Sequence, residues 1–570
     1  MGIRLGSILV LLTVFALNAV SDDSTGRKVF LNGSIYSMDD TGSQFAAMVV
    51  EGGKIVYLGD DSTAMAWAQD TSEVTSLGGR TVLPGFIDTH IHIMDTLPLM
   101  DGAMLSPSQS ADEVLESLRA HVLSHPEQNP VLGAGFLARA FGIDGPTAAQ
   151  LDEIVMDKPA LIIDEGGHTA WANSKAMALA GITKSTPDPV PGAHFFQRDD
   201  DGVPTGWLVE GAAIDPVAMA LNLVSEEVLE EKAPLFFEKM AAVGLTAAFD
   251  AGMIDTEEAG REVALALAQQ QRLPVRIVAS LYVNRPSGLI NAIEHLTELN
   301  ERYNHPFFEV STLKLSLDGT VEAKTAVTLD PYLLPEGHRA TPLLPPNETI
   351  GTVVMAAGRN IDLHLHAIGD GAVRTALDAI EAARAAHPNT SSRFTICHIE
   401  VVDPLDIPRF AALNVVGQTT PTWFEYDYLA LEYLGRERFQ QLYPIASIKR
   451  HGAKITLGSD YPVTWIGEDA LNPLFNIEMA VTRQQAGNPD YPIQAKISER
   501  LSVDQAIRAH TIDAAWQLGM EDDIGSLELN KLADFVILDN DPYTTPIHDL
   551  HSIRVDRTYS DGRLVYKRQP

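Results

Sequence analysis

Six side chains that bind cations or move protons each sit within, at, or just beyond the end of a short apolar run. The segment Thr81-Val-Leu-Pro-Gly-Phe-Ile-Asp-Thr-His90-Ile-His92 ends with histidines two residues apart, which turns both imidazoles to one face of a strand. Lys314 lies inside the run Thr312–Leu317. His364-Leu-His366-Ala-Ile-Gly-Asp370 and Phe394-Thr-Ile-Cys-His398 follow, and Lys454-Ile-Thr-Leu-Gly-Ser-Asp460 closes the series. Neutral imidazoles with carboxylate oxygens suit Zn²⁺ and similar divalent ions, with a coordination position left open for water. Cys397 is the only cysteine, so the chain offers no internal disulfide and no thiolate cluster. Metal ligands are therefore expected among His, carboxylate and lysine-derived groups. Cys397, inside a strand, reads as a small packed hydrophobe rather than a nucleophile. A single strand-end histidine is an ordinary hydrogen-bonded residue; the ordered set of His-x-His, Lys, His, His and Asp points to a metal site.

Strands and helices must place these residues together. Apolar strand-like runs occur at Thr81–Ile87, Ala160–Ile163, Leu245–Phe249, Val275–Val283, Thr312–Leu317, Ile361–Leu365, Phe394–Cys397, Val415–Gln418 and Lys454–Leu457. Helical patterns lie between many of them, including Ala111–Val122, Glu226–Val243, Ala372–Ala386 and Val503–Leu518. That alternation predicts parallel strands with crossover helices. In a (β/α)8 barrel every strand end listed above would open on one mouth, where active sites are built. The runs slightly outnumber eight, which predicts an insertion around residues 125–215. Short strands between Gly and Asp turns mark both ends of the chain, so a composite β domain from the two termini is expected.

Composition narrows the partners. The 570 residues carry 41 Lys+Arg against 76 Asp+Glu, a net charge of −35. This excludes nucleic acid and disfavours anionic membranes. With 45% apolar residues the chain can bury a large core. Arg4, the apolar stretch Ile8–Ala19 and the small-residue site Ala19-Val20-Ser21 read as a cleaved secretory signal. The mature protein is then secreted, or periplasmic in a bacterium, with no membrane attachment after cleavage. Asn32, Asn347 and Asn389 begin glycosylation triplets, used only in a eukaryotic host. Gly133-Ala-Gly135-Phe-Leu-Ala138 imitates a dinucleotide-binding turn, but Gly142, Gly145 and Pro146 follow too soon for the required helix. Zincin, serine-hydrolase-elbow and P-loop signatures are absent from the sequence.

The string Leu83-Pro84-Gly85-Phe86-Ile87-Asp88-x-His90-x-His92 resembles the amidohydrolase superfamily signature. Other landmarks resemble its amidohydrolase-3 (YtcJ-like) branch: Asp164-x-x-Gly167-His168-x-x-Trp171-x-Asn173-Ser174, Lys314-x-x-x-Asp318-Gly319, His366-Ala-Ile-Gly-Asp370, Gly458-Ser459-Asp460-x-Pro462 and Gly525-Ser526-Leu527-x-x-x-Lys531-x-Ala533-Asp534. The resemblance runs from about residue 27 to residue 567. It implies an α/β fold, a TIM-like (β/α)8 barrel with a β-sandwich built from both termini. The expected divisions are a signal at 1–21, sandwich at 22–83 and 516–570, and barrel at 84–515.

The resemblance also implies roles. His90, His92 and Asp460 would bind one divalent metal, His366 and His398 a second, and Lys314, N-carboxylated, would bridge them; Zn is the first expectation. Metal-bound hydroxide would attack a non-peptide amide, N-acyl or cyclic imide bond of a small molecule, with Asp460 as base and then acid. His364 shares a face with His366, so either is eligible as the strand-five ligand, and the HAIGD match favours His366. His168, Trp171, Asp318, His364 and Trp423 are the expected substrate contacts; Phe424, Tyr426 and Trp465 add aromatic surface near the mouth. A homodimer is allowed. Two alternatives stand beside this reading. A ring deaminase commonly has Glu three residues after the strand-five His, where this chain has Gly369 and then Asp370. A binding or regulatory protein on a dead scaffold would be expected to lack ligands, and none is missing.

Overall fold

The computed structural model describes residues 26–68, 72–223, 225–252, 257–463 and 467–569. The signal segment and Trp465 lie outside the described residues. Eight parallel strands form the barrel: β1 (Phe86–Ile91), β2 (Leu245–Asp250), β3 (Arg276–Val283), β4 (Phe308–Ser316), β5 (Asp362–Ala367), β6 (Phe394–His398), β7 (Val415–Thr419) and β8 (Ile455–Leu457). Neighbours from β1 to β8 pair in chain order. Backbone bonds span the β1/β8 seam at the mouth: Asp460 N–H donates to His90 O at 2.7 Å and His92 N–H to Tyr461 O at 3.0 Å. Asp88 ties the same seam, its Oδ1 accepting from His90 N–H at 3.1 Å and Ser459 N–H at 3.0 Å. Gly458 passes so close that a Cβ there would lie 2.6 Å from His90 N. Only glycine fits.

The run Thr81–Ile87 is two strands. Thr81–Pro84 pairs antiparallel with Phe535–Leu538 in the terminal sheet, and β1 begins after Gly85. Proline cannot donate to a ladder, and Gly85 N–H turns instead to Asp534 O at 2.9 Å. A Cβ on Gly85 would strike Thr246 at 2.2 Å. The proposed long helix Val503–Leu518 is likewise two helices, Val503–Ala509 and Ile512–Gln517. It breaks because His510 is bound to β1: its Nδ1 faces Ile87 O at 3.0 Å and its carbonyl accepts Ile87 N–H at 2.7 Å.

Strands from both termini share one six-stranded sheet, which packs on a four-stranded N-terminal sheet. Phe30, Phe535 and Tyr559 fill the space between, with ring centroids 4.4–5.4 Å apart. The buried ion pair of Arg276 with Asp534 joins this sandwich to β3. Between β1 and β2 the chain builds a further six-stranded sheet, with its first strand at Ala103–Met104 and its last at Pro204–Val209. The candidate strand Ala160–Ile163 belongs here, not to the barrel. Among the described residues no helix is long and apolar enough to cross a membrane.

Candidate active site

The barrel mouth brings His90, His92, Lys314, His366, His398 and Asp460 together. Asp460 Oδ1 lies 3.4 Å from His90 Nε2 and 3.3 Å from His92 Nε2, and Oδ2 lies 3.5 Å from His398 Nδ1. The Lys314 Nζ is 3.2 Å from His90 Nε2 and sits over the Tyr282 ring. His92 Nδ1 faces the Gly252 carbonyl at 3.2 Å. A carbonyl only accepts, so Nδ1 carries the proton and Nε2 points its lone pair at the Asp460 carboxylate.

His366 and His398 sit beside this group with ring centroids 4.4 Å apart. Both are buried, yet His366 Nε2 and both ring nitrogens of His398 have no hydrogen-bond partner. Burial, then nearby positive charge, holds His90, His364, His366 and His398 well below the ordinary histidine range, leaving them neutral. Burial also lowers Lys314, which makes a neutral amine more accessible. Buried lone pairs without donors are costly, and a divalent cation satisfies them. His90, His92 and Asp460 present ligand atoms within 4.8 Å of one another. The residues fit a metal.

One member of the neighbourhood, Cys397, is buried as the sequence reading expects of a small packed hydrophobe, but it also lies among the candidate ligands. His366, Cys397 and His398 also offer ligand atoms within 4.8 Å of one another, as do His90, His364 and Cys397. In the register of β5 and β6, His366 lies opposite Cys397, and His398 opposite Ala367. Cross-strand neighbours share a face, so parity turns Cys397, not His398, to the side of His366. His398 reaches the site because the backbone turns there, at φ 71°, followed by Ile399 at 46°. Burial pushes the Cys397 thiol well up, keeping it protonated. The signal was available: a strand ending in adjacent Cys and His must break alternation for both to face inward.

A cavity opens on this centre. Its metal-side wall includes His92, Lys314, His366, His398 and Asp460; the inserted segment adds Leu161, Ile163, Asp164 and His168. Trp423 stacks on His398 at 5.1 Å and donates Nε1–H to Val463 O at 3.1 Å. His168 Nδ1 is 2.7 Å from Glu210 Oε2, and Thr325 Oγ1–H donates to Glu210 Oε1 at 2.6 Å. Burial opposes charge on His168, but the Glu210 carboxylate prevails and raises it to about 9. Burial also works against Glu210 ionisation, and His168 overcomes it, holding that carboxyl below its usual range. Glu210, at φ 66°, escaped the sequence reading because nothing local marks it.

His168 and Trp423 line the cavity, but three other expected substrate contacts do not. Trp171 is core of the inserted sheet, packed on Phe136 and Phe141 and donating Nε1–H to Thr147 O at 2.8 Å. Asp318 is fully buried and accepts backbone N–H groups from Val327, Ile368 and Gly369 at 2.8–3.0 Å. It shapes the loop beyond β5, 3.7 Å from His366 Nε2. His364 lies behind His90, Nε2 to Nδ1 at 2.9 Å, and against Phe249. It orients a candidate ligand rather than facing substrate. Phe424 is likewise buried, its ring under the Arg483 guanidinium.

Known proteins share this architecture. The pattern described as "Amidohydrolase family" matches residues 73–566. The exoenzymes regulatory protein AepA of Pectobacterium carotovorum subsp. carotovorum is 31% identical over 77% of this chain and 95% of its own. The N-substituted formamide deformylase of Arthrobacter pascens is 28% identical over 95% of this chain and 98% of its own. The crystal structure of an uncharacterized metal-dependent hydrolase from Pyrococcus furiosus superposes with a TM-score of 0.68 at 24% identity, covering 90% of this chain and 99% of that one.

Proposed function

The chain belongs to the amidohydrolase family, a metal-dependent hydrolase acting on carbon–nitrogen bonds, and from that premise we propose that it hydrolyses a non-peptide amide, N-acyl or cyclic imide bond of a small molecule. The observation carrying this reading is Asp460, one carboxylate within 3.5 Å of His90, His92 and His398 beside an open cavity. His90, His92 and Asp460 would hold one divalent ion, Zn first, and His366 and His398 a second, with Lys314 between them as a carbamate. A bound cation there supplies Lewis acidity and a water of lowered pKa.

The protein's own groups do the rest. Asp460 accepts the proton of the attacking water and returns it to the leaving nitrogen. His168, kept charged by Glu210, donates Nε2–H toward an anionic or developing oxyanionic group. Trp423, Leu161 and Ile163 pack an apolar substituent. A deaminase has less support, because a Cβ at Gly369 would lie 2.1 Å from Val327 O and no carboxylate side chain fits there. Export also belongs to the proposal, and N-terminal sequencing of mature protein checks it.

The test is a screen of metal-loaded enzyme over N-acyl amino acids, N-substituted formamides, cyclic imides and aryl amides, with metal analysis. Turnover of one class, lost on metal removal and restored on addition, supports the proposal. Less than one equivalent of metal in purified protein, with no activity restored by Zn, Mn, Fe or Ni, would sink it.

A further inference from the structure

Loops beyond β4, β6 and β7 bring Glu322, Glu400 and Asp427 together, with ligand oxygens within 4.8 Å of one another. None of the three lines the catalytic cavity. Asp427 caps the helix Tyr428–Phe439, accepting Ala430 N–H at 2.7 Å. Two observations separate the group from an ordinary acidic patch. Glu400 is only 2% exposed, and its Oε1 has no hydrogen-bond partner. Glu165, from the inserted segment, is 3% exposed with an unpartnered Oε2, and the Glu322 and Asp427 carboxylates are among the charges acting on it. A fourth buried carboxylate thus adds to the negative charge around the three.

The environment asks for a cation. Burial pushes Glu165, Glu322 and Asp427 above the ordinary carboxylate range, and for Glu165 and Glu322 neighbouring carboxylates push further. No basic side chain is among the groups acting most strongly on these three. Buried like charges persist only when paired, protonated or bound to metal. Ligand type selects the ion. Carboxylate oxygens suit hard cations, and several protein oxygens from separate loops suit Ca²⁺, which takes about six to eight, better than Mg²⁺, which keeps several of its waters.

We propose that Glu322, Glu400 and Asp427 form a Ca²⁺ site, separate from the catalytic centre, that ties together the loops after β4, β6 and β7. The site is independent of the substrate reading above.

The test titrates CaCl2 into full-length, catalytically metal-loaded enzyme in resin-treated buffer, followed by calorimetry and thermal melting. The expected result is one equivalent bound with Kd of about 1 mM or tighter and a Tm raised by about 2–4 °C at saturation. Glu322→Gln should weaken binding at least about tenfold without changing the metal content of the histidine centre. Asp427→Asn, which keeps a helix cap, should do the same, so a folding defect in either variant leaves the other readable. No heat or melting shift at about 10 mM Ca²⁺, unchanged affinity in both variants, or tighter Mg²⁺ than Ca²⁺ binding would overturn the assignment. So would a Glu322→Gln protein that melts higher than wild type at pH 8 while wild type ignores Ca²⁺, because protons then neutralise the cluster.

Discussion

The floor and the wall of the cavity use the same side chain in opposite ways. On the floor and just beneath it, His90, His364, His366 and His398 are buried without a hydrogen-bonded carboxylate and are held neutral. On the wall, His168 stands 5.2 Å from the His366 ring, centroid to centroid, and is raised to about 9. The difference is Glu210, at 2.7 Å. Burial alone strips charge from an imidazole; burial with a hydrogen-bonded anion retains it. Neutral rings offer lone pairs to a metal, and a charged ring offers a proton to an anion. Position in the fold thus divides five similar residues between two kinds of chemistry.

The largest effect tests the floor. Asp460→Asn should lower kcat/KM by about 10³-fold or more while circular dichroism stays unchanged; substantial retained turnover removes Asp460 from proton transfer. Next, His364→Ala should weaken metal binding about 10–100-fold, because His90 loses the group that orients it; competition with a chromophoric chelator measures it. If affinity is unchanged, His364 does not support His90.

The wall gives a smaller effect that carries a pH signature. Glu210→Gln should raise KM about tenfold for an anionic substrate and move the alkaline limb of kcat/KM down from about 9. His168 has its pKa raised on folding, so its stabilising interaction is complete below the unfolded value of about 6.5 and is lost as pH rises through about 9. Wild-type thermal stability should therefore fall across that window and the variant's should not. An alkaline limb that stays in place would detach His168 charge from catalysis. Smallest in activity is Trp171→Phe, which should cost about 1–2 kcal/mol of stability and leave kinetics unchanged. Altered KM would return Trp171 to the cavity wall.

Much of the barrel was legible because its information is local and periodic. Eight of the nine apolar runs overlap a barrel strand, and strand-end histidines announced the mouth. The ninth, Ala160–Ile163, has the same local pattern, but its partners place it in the inserted sheet. Pro84 and Gly85 hide a boundary inside one continuous apolar run, and His510 divides a helix through a bond to Ile87, more than 400 residues earlier. Neither event changes the hydrophobic period.

The candidate site divides along the same line. Residue types determined the chemistry: one cysteine, several strand-end imidazoles, a lysine within an apolar run and an aspartate specify nitrogen and oxygen ligands wherever the chain places them. Tertiary structure decided which groups meet. A left-handed turn at His398 and the register of β5 with β6 put Cys397 beside His366; packing took Trp171, Asp318 and His364 off the cavity; and Glu210 met His168 only through the inserted sheet. Side-chain chemistry is a property of each residue, whereas charge state and partnership depend on distance and burial, which the sequence specifies only through the completed fold.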